Sequence, residues 1–196
     1  STLDFVKSAV PFLKSDVLIT DATGIKGSLP EDVQRLLTGR MEFIAGHPMA
    51  GRQGSGLGMS QAEIFDGANY IVVPAAFNSS GAIEWLSSFA GAIGCGQVVQ
   101  VDAVEHDRII AYTSNLPHAL AVALINSASY NEKSKYFIAG QFSRWNKGRR
   151  YQSVLWSDLF LGVTGKTFLQ ELAAFSQQLE RWREALTAAA RRPCRK

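Results

Sequence analysis

The stretch MEFIAGHPMAG at residues 41–51 decides the fold prediction, because it joins an apolar run to a glycine-containing loop. A short apolar run that ends at Gly46 is typical of a buried strand in a parallel sheet. His47 and Pro48 follow directly, at the strand end where open α/β sheets place their ligand crevice. A histidine there can accept a proton near neutral pH. On the residues alone, a structural histidine explains the pattern equally well.

Predicted helices and strands alternate on both sides of this stretch. Helical spacing of apolar residues predicts helices, and short β-branched runs predict strands. The helices are predicted at 2–14, 28–37 and 80–93, and the strands at 16–20, 41–46, 68–74 and 96–101. Ser28 with Glu31 predicts a capping box at the start of the second helix. The alternation indicates a mostly parallel α/β sheet.

The third helix should turn one apolar face towards the core. That face consists of Ile83, Leu86, Phe89, Ala90 and Ile93.

The character of the chain changes after residue 102. No strand is predicted beyond it, and helices are predicted at 103–127, interrupted at Pro117, and within 153–190. The predicted fold is therefore α/β followed by an all-helical part, with the boundary near 102.

The composition excludes several classes of protein. The chain has 196 residues, 46% of them hydrophobic, and a net charge of +3, so it can bury a core and is not strongly basic. A solvated helix end explains the basic residues near the C-terminus better than nucleic-acid binding does. Two distant cysteines, no signal-peptide pattern and no long apolar run predict a cytoplasmic protein without membrane segments.

The glycine-rich stretch after His47 does not match a dinucleotide fingerprint. That fingerprint needs GxGxxG directly after a strand and opening a helix. Gly54, Gly56 and Gly58 are spaced GxGxG and lie well past the strand, so a loop is the favoured interpretation. A doubly wound sheet also normally begins with a strand, a glycine turn and a helix, whereas this sequence opens with a predicted helix.

The three histidines do not form a metal motif. In EHD (105–107) neighbouring side chains point in different directions on a helix, so they are not a chelating pair, and no metal is expected. A GxSxG nucleophile elbow is also absent from the sequence.

Several motifs, taken together, resemble the prephenate dehydrogenase family, which includes arogenate and cyclohexadienyl dehydrogenases. They are HPMAG (47–51), AEIFDGANYIVVP (62–74), VDAVEHD (101–107) and SNLPH (114–118), in this order. The resemblance implies oxidative decarboxylation of prephenate to 4-hydroxyphenylpyruvate, or of arogenate, with NAD or NADP. It also implies a role in tyrosine biosynthesis.

The resemblance implies roles for two histidines. His47 is the expected base or hydrogen-bond acceptor for the ring hydroxyl, and His118 is the second expected catalytic residue. Ser114 and Asn115 are expected to bind substrate: Ser114 matches the family's serine, and Asn115 stands where the family has histidine. Asp107, Ser114 and His118 lie seven and four residues apart, which predicts one shared helix face.

The segment TDATGIK (20–26) resembles the family's TDVGSVK beside the nicotinamide. The cofactor-binding residues implied are Asp21, Thr23, Gly24 and Lys26. The family's serine is Gly24 here, so its hydroxyl is either supplied by Thr23 or lost.

The segment FSRWNKGRRYQSVLW (142–156) departs most from the family's pattern, in which an arginine binds a substrate carboxylate. By counting, Lys147 takes that place, and Arg149 or Arg150 serves after a local shift. A basic exposed loop is an equally good interpretation. Trp156 matches the family and is expected to close the substrate site.

By resemblance, residues 1–102 are the C-terminal half of a Rossmann-like dinucleotide-binding domain, and 103–196 are a helical dimerisation and substrate domain, in a homodimer. Because the GxGxxG unit is not in the sequence, we expect a truncated enzyme or a remnant, with little or no activity as this chain alone. The alternative is a non-catalytic dimerisation or regulatory module derived from the family.

Overall fold

A computed structural model of the chain describes residues 2–51, 56, 58, 60–127, 129–137 and 165–190. The chain divides into two compact units, one ending at Asp107 and the other beginning at Arg108. This division falls inside a helix that begins at Ala103. The predicted domain boundary at 102 stays a prediction.

Helices and strands alternate along the first unit, as the sequence predicts. The helices are α1 (Thr2–Ala9), α2 (Leu29–Gln34) and α3 (Ser80–Ala92), and α4 (Ala103–Ile110) begins in this unit. The strands are β1 (Leu18–Thr20), β2 (Glu42–Pro48), β3 (Asn69–Val73) and β4 (Gln97–Gln100). Short 3-10 turns lie at Val10–Phe12 and Ala62–Phe65.

The four strands form one sheet in the order β1-β2-β3-β4. β1 pairs parallel to β2, with Thr20 opposite Ile44, and β3 pairs parallel to β4. β2 and β3 are antiparallel, with His47 opposite Ile71. The predicted mostly parallel α/β sheet is confirmed. Because β1 and β2 are parallel, the loop after Thr20 and the end of β2 lie at the same edge.

The two faces of the sheet bury separate apolar clusters, because successive side chains of a strand point to opposite faces. Along β2, Ile44 packs under α3 with the cluster that includes Leu86. Phe43 and Ala45 pack on the other face, with Val33 of α2 and residues of α1. Helices on both faces are typical of α/β proteins, whose central strands are apolar on both sides.

Two details of the predicted helices are wrong. Ser28 precedes α2 but makes no side-chain capping bond. Its backbone lies at φ −91° and ψ 3° rather than in the extended region, and its hydroxyl donates to Asp32 instead. Phe89 of α3 does not face the core: it stays 38% exposed and stacks on Trp85 at 5.3 Å between ring centroids.

The second unit is helical throughout the residues that the structure describes. A π-helical segment (Ala111–Asn115) leads into α5 (Leu116–Ile125), followed by a 3-10 turn (Glu132–Phe137) and α6 (Gly165–Ala190). α6 packs against the π-helical segment and α5. The predicted absence of strands holds for these described residues.

The helix predicted at 103–127 is not interrupted at Pro117. Instead, the helical turn just before Pro117 is a π turn, which is wider than an α turn. Pro117 lacks the N–H that would bond to residue 113, and its ring would crowd that carbonyl. The Leu116 N–H donates to the carbonyl of Ala111, five residues back. A π turn accommodates one extra residue and shifts the side chains that follow it.

Candidate active site

A buried ion pair fastens the loop after β1 to the end of β2. The Lys26 ammonium lies 2.8 Å from Asp21 Oδ2 and donates to the carbonyl of Gly46 at 2.6 Å. Both side chains are almost fully buried, and burial lowers the pKa of Lys26 although Asp21 opposes the shift. The pair therefore holds the loop and the strand together immediately before His47.

The Asp21 carboxylate accepts several hydrogen bonds from the loop after β1 and from the end of β2. One carboxylate oxygen accepts from the Gly46 N–H at 3.0 Å, and the other accepts from the Thr23 N–H at 3.0 Å and from the Thr23 hydroxyl. A carboxylate with this many donors is held in one position. The structure thus gives Asp21, Thr23 and Lys26 contacts within the protein, and their contact with a cofactor stays a prediction.

His47 lies at the carboxyl-end edge of the sheet, as the sequence predicts. Its Nδ1 is 2.9 Å from Nε2 of His106. Burial, together with the neighbouring His106 and Lys26, lowers the pKa of His47 from 6.5 to about 4, and Asp21 and Asp107 only partly oppose this shift. His47 is therefore neutral near pH 7 and has a nitrogen lone pair that can accept a proton.

Behind His47 stands a second histidine that the sequence interpretation did not assign to the site. His106 is buried, and its Nδ1 is 2.7 Å from Asp107 Oδ1. Asp107 also accepts from the backbone N–H groups of Lys26 and Gly27, at 2.9 and 2.8 Å. His106 and Asp107 of the EHD motif thus belong to a hydrogen-bonded chain that begins at His47. Only the position of the motif at the start of a helix after β4 could have suggested it.

Gly24 comes close to the imidazole of His47. A Cβ built on Gly24 would lie 3.9 Å from both Cε1 and Nε2 of His47, which is ordinary contact. Gly24 thus lies beside Nε2 of His47 and places no side chain against it. The Thr23 hydroxyl has a single proton and lies within hydrogen-bond distance of two acceptors, Asp21 and the carbonyl of Ile25, so it is already engaged within the loop.

Gly46 is required where it stands, one residue before His47. A Cβ there would come 2.4 Å from the hydroxyl oxygen of Tyr70 on the neighbouring strand β3. The close approach packs the aromatic ring against the backbone of β2. Burial raises the pKa of Tyr70, so its hydroxyl stays protonated at neutral pH.

In the second unit, the predicted site residues have different environments. Ser114 is exposed, whereas Asn115 is fully buried, and neither atom of its amide group has a hydrogen-bond partner among the described residues. His118 is half-buried, and burial lowers its pKa. The prediction that Ser114 shares a face with Asp107 is wrong, because Asp107 is buried and the π-helical segment brings Asn115 to the buried side instead.

The remaining predicted substrate-binding residues, Lys147, Arg149, Arg150 and Trp156, lie outside the described residues. Within the described part of the chain, the acidic, cysteine and histidine side chains include no group of three or more arranged to hold a metal ion. None of the described helices combines the length and apolar character needed to cross a membrane.

Two family models together match nearly the whole chain. Residues 1–99 match the nucleotide-binding domain of prephenate dehydrogenase, and residues 102–192 match its dimerization domain. The match covers the described residues of the site, from Asp21 to Asp107, and the segment from Ser114 to His118.

Curated relatives agree with the models. Cyclohexadienyl dehydrogenase of Zymomonas mobilis is 31% identical over 183 residues, which are 91% of this chain and 61% of that protein. Prephenate dehydrogenase of Bacillus subtilis is 28% identical over 153 residues, 76% of this chain and 41% of that protein. The chain therefore spans less than two thirds of the length of these relatives.

Solved structures share the fold. The crystal structure of prephenate dehydrogenase from Aquifex aeolicus with hydroxyphenyl propionate and NAD+ superposes with a TM-score of 0.83 at 25% identity, over 96% of this chain and 66% of that one. Synechocystis arogenate dehydrogenase matches with a TM-score of 0.78 at 20% identity, over 96% of this chain and 68% of that one. The chain belongs to the prephenate dehydrogenase family.

Proposed function

We propose that this chain carries the proton-accepting part of a dehydrogenase that oxidatively decarboxylates prephenate or arogenate with NAD or NADP. In the prephenate reaction, the ring carbon that bears the hydroxyl loses hydride while the hydroxyl gives its proton to a base. The opposite carbon then loses CO2, and the ring oxygen takes the proton back as the ring becomes aromatic. The product, 4-hydroxyphenylpyruvate, is aromatic, so aromatisation drives the reaction. The protein has to accept the proton and hold the substrate and the cofactor in line.

The observation that carries this proposal is the state of His47. The imidazole is half-buried at the ligand edge of the sheet, and its pKa of about 4 keeps it neutral at physiological pH. A neutral imidazole accepts a hydrogen bond and then a proton from a hydroxyl group. The buried pair of Asp21 and Lys26 holds the strand end beneath it, which gives the acceptor a fixed position.

The described residues fit the nicotinamide end of a cofactor. The loop of Asp21, Thr23, Gly24 and Lys26 borders His47, and Gly24 places no side chain against its Nε2. In this proposal the backbone of Gly24 borders the nicotinamide, while Asp21 and Lys26 keep the loop in place. Bound NAD or NADP would accept the hydride from the carbon that carries the hydroxyl.

The carboxylates of the substrate need cationic or amide partners. Lys147, Arg149 and Arg150 are the cationic candidates, and Trp156 is the candidate for closing the site; all four stay predictions from the resemblance. Lysine binds a carboxylate as a point charge, whereas arginine offers a two-pronged donor set. For this reason Arg149 and Arg150 remain alternatives to Lys147.

We further propose that the protein acts as a homodimer through its helical unit. Helix α6 exposes a row of large apolar side chains at spacings of three and four residues: Leu179, Trp182 and Leu186, of which the last two are 70% exposed. Such a row follows one face of a helix, and residues 102–192 match a dimerization-domain model. The cytoplasmic location predicted from the cysteine content stays a prediction.

The test is turnover of prephenate and of arogenate with NAD or NADP by the natural full-length protein, compared with its His47→Asn variant. We expect turnover with one of the two substrates and a decrease of about 10²- to 10⁴-fold in kcat in the variant, the usual contribution of a positioned base. The unfolding midpoint of the variant serves as the control for folding. Unchanged turnover in a folded variant would refute the role of His47.

The second candidate is a non-catalytic dimerisation or regulatory module. The observations that favour it are the missing hydroxyl at Gly24 and the buried amide of Asn115 in place of a histidine. This candidate predicts a stable dimer without turnover of either substrate and without NAD or NADP binding. Measurement of the solution mass, together with a cofactor titration, separates the two candidates.

A further inference from the structure

His47, His106 and Asp107 form a linear chain of hydrogen bonds. The links are 2.9 Å between His47 Nδ1 and His106 Nε2, and 2.7 Å between His106 Nδ1 and Asp107 Oδ1. Both distances allow one proton per link. Because each imidazole has two nitrogens, the proton on one link decides which atoms carry protons on the next.

The carboxylate at the inner end fixes the direction of the chain. Burial alone would raise the pKa of Asp107, but hydrogen bonds from His106 and from the Lys26 and Gly27 amides more than offset it and hold the pKa below its usual value. An ionised carboxylate only accepts hydrogen bonds, so Nδ1 of His106 carries the proton. In neutral His106, Nε2 is then an acceptor, and Nδ1 of His47 must donate to it.

The remaining nitrogen of His47 is left without a proton. If Nδ1 of His47 carries its only proton, the lone pair is on Nε2, the atom that lies beside Gly24. The chain of bonds therefore presents an acceptor at the position where the proposed reaction needs one. The opposite tautomer would present an N–H there and could not take a proton.

We propose that His106 and Asp107 are positioning residues for the proton acceptor His47: they hold it as the Nδ1–H tautomer and receive the positive charge when His47 is protonated. The part of this inference that concerns the reaction rests on the function proposed above. The part that concerns the tautomer can be tested without turnover.

The proton transfer balances without a further reactant. As the substrate O–H bond breaks, an N–H bond forms at Nε2 of His47. The Nδ1–H bond of His47 then breaks and an N–H bond forms at Nε2 of His106. The imidazolium produced lies against the carboxylate of Asp107, which stays ionised. The charge thus moves from a half-buried ring to one that contacts an anion at 2.7 Å.

This transfer resolves a weakness of His47 as a lone base. A histidine with a pKa of about 4 holds a proton poorly, and the nearby Lys26 ammonium disfavours its charged form while Asp21 and Asp107 favour it. Moving the charge to His106 places it next to Asp107. The charge then lies against the carboxylate at 2.7 Å, a contact that His47 itself does not have.

Nitrogen NMR of the imidazole rings in the 196-residue chain tests the tautomer. The chain has three histidines, so the His118→Gln variant leaves only the two of interest. With ¹⁵N-labelled histidine at about pH 7.5, above the usual pKa, we expect both rings to show a protonated Nδ1 and an unprotonated Nε2. An Nε2–H tautomer in either ring, or a doubly protonated ring, would overturn the inference.

The His106→Gln variant tests the positioning role. Asp107 holds Nε2 of His106 as an acceptor, whereas the glutamine amide that replaces the imidazole in the variant can turn either its oxygen or its N–H towards His47. We therefore expect His47 to lose its fixed Nδ1–H state and show a mixture of tautomers. In the natural full-length protein we expect a fall in kcat with little change in KM. A variant in which His47 keeps a single Nδ1–H tautomer, and which loses only stability, would contradict positioning.

The two proposals fail in different ways. If both rings show the expected tautomer but the natural protein turns over neither prephenate nor arogenate, the proposed function falls and the positioning of His47 stands. If turnover depends on His47 while its ring shows the Nε2–H tautomer, the function stands and the inference falls.

Discussion

The polar residues around the end of β2 and Asn115 of the π-helical segment are all buried, but they are paired differently. In the first region, Asp21, Lys26 and Asp107 each make two or more hydrogen bonds or ionic contacts. In the second, the buried amide of Asn115 makes no hydrogen bond within the part of the chain that the structure describes. Buried polar groups are nearly always paired in native proteins, so an orphaned one calls for a reason.

The difference indicates that the two regions are prepared for different tasks. A fully paired network is rigid and fixes the position of His47 before any ligand arrives. An unpaired buried amide costs stability and keeps its donors and acceptor available for a binding partner. An amide that is available for a ligand agrees with the predicted role of Asn115 in substrate binding. Three measurements test the difference between the two regions.

The largest effect is expected from breaking the paired region. Lys26→Met removes the cation from a pair whose side chains are 0% and 5% exposed. It leaves the Asp21 carboxylate buried without its partner, which typically costs about 3–5 kcal/mol in the free energy of unfolding. Denaturant unfolding of the 196-residue chain measures it.

The matched control is Lys7→Met on the exposed side of α1, for which we expect a change within about 0.5 kcal/mol. Adding Asp21→Asn to Lys26→Met should recover part of the loss, since a neutral amide is cheaper to bury than a lone carboxylate. Equal effects of Lys26→Met and Lys7→Met would show that the pair contributes nothing to stability.

A smaller effect of opposite sign is expected in the unpaired region. Asn115→Leu replaces an unpaired buried amide with an apolar group of similar size, so we expect the chain to become more stable by about 1–3 kcal/mol. Denaturant unfolding of the same chain measures it, with Ser114→Ala at the neighbouring exposed position as control. A clear loss of stability in Asn115→Leu would mean that the amide is satisfied in solution.

The smallest effect is the pH dependence that comes from His47. Its pKa falls from 6.5 to about 4 on folding, so the unfolded chain binds a proton more readily. Stability from this group is fully present above about pH 6.5 and is lost as the pH falls towards about 4. Because the ring is half-buried, solvent screens part of the effect.

The measurement is the denaturant midpoint at several pH values from about 7.5 down to about 4.5, in the wild type and in His47→Gln. This range stays above the usual pKa of 3.8 for Asp107, so its titration does not interfere. We expect the wild type to lose more stability than the variant across this range. Parallel curves for the two proteins would show that His47 has an ordinary pKa.

The architecture of the first unit could be predicted from the sequence because its signals are local. Apolar runs such as FIAG (43–46) and YIVV (70–73) mark strands, and the helical spacing of Leu86 and Ala90 marks a buried face. The same helical spacing predicts that Phe89 is buried, which is wrong. Spacing alone does not show that Phe89 stacks on Trp85 at the surface. The capping pattern at Ser28 failed because backbone angles decide capping.

The site could be predicted only in part. His47 was found from its place at the end of a strand, and its neighbours in the loop were found from the resemblance. The contact of His106 with His47 could not be predicted, because the two residues are 59 positions apart in the sequence. Spacing patterns relate only residues within one helix or strand. The change of helix face after Asp107 was missed because the π-helical widening depends on how the chain accommodates Pro117.

The close approach of Gly46 and Tyr70 links two positions that are far apart in sequence but adjacent in the sheet. Because a Cβ at 46 would collide first with the hydroxyl oxygen of Tyr70, any larger residue at 46 requires the Tyr70 side chain to move or to be replaced. Among relatives, a residue larger than glycine at 46 should therefore occur together with a changed residue at 70. The residue before His47 is thus constrained in evolution by an aromatic side chain on another strand as well as by the chemistry next to it.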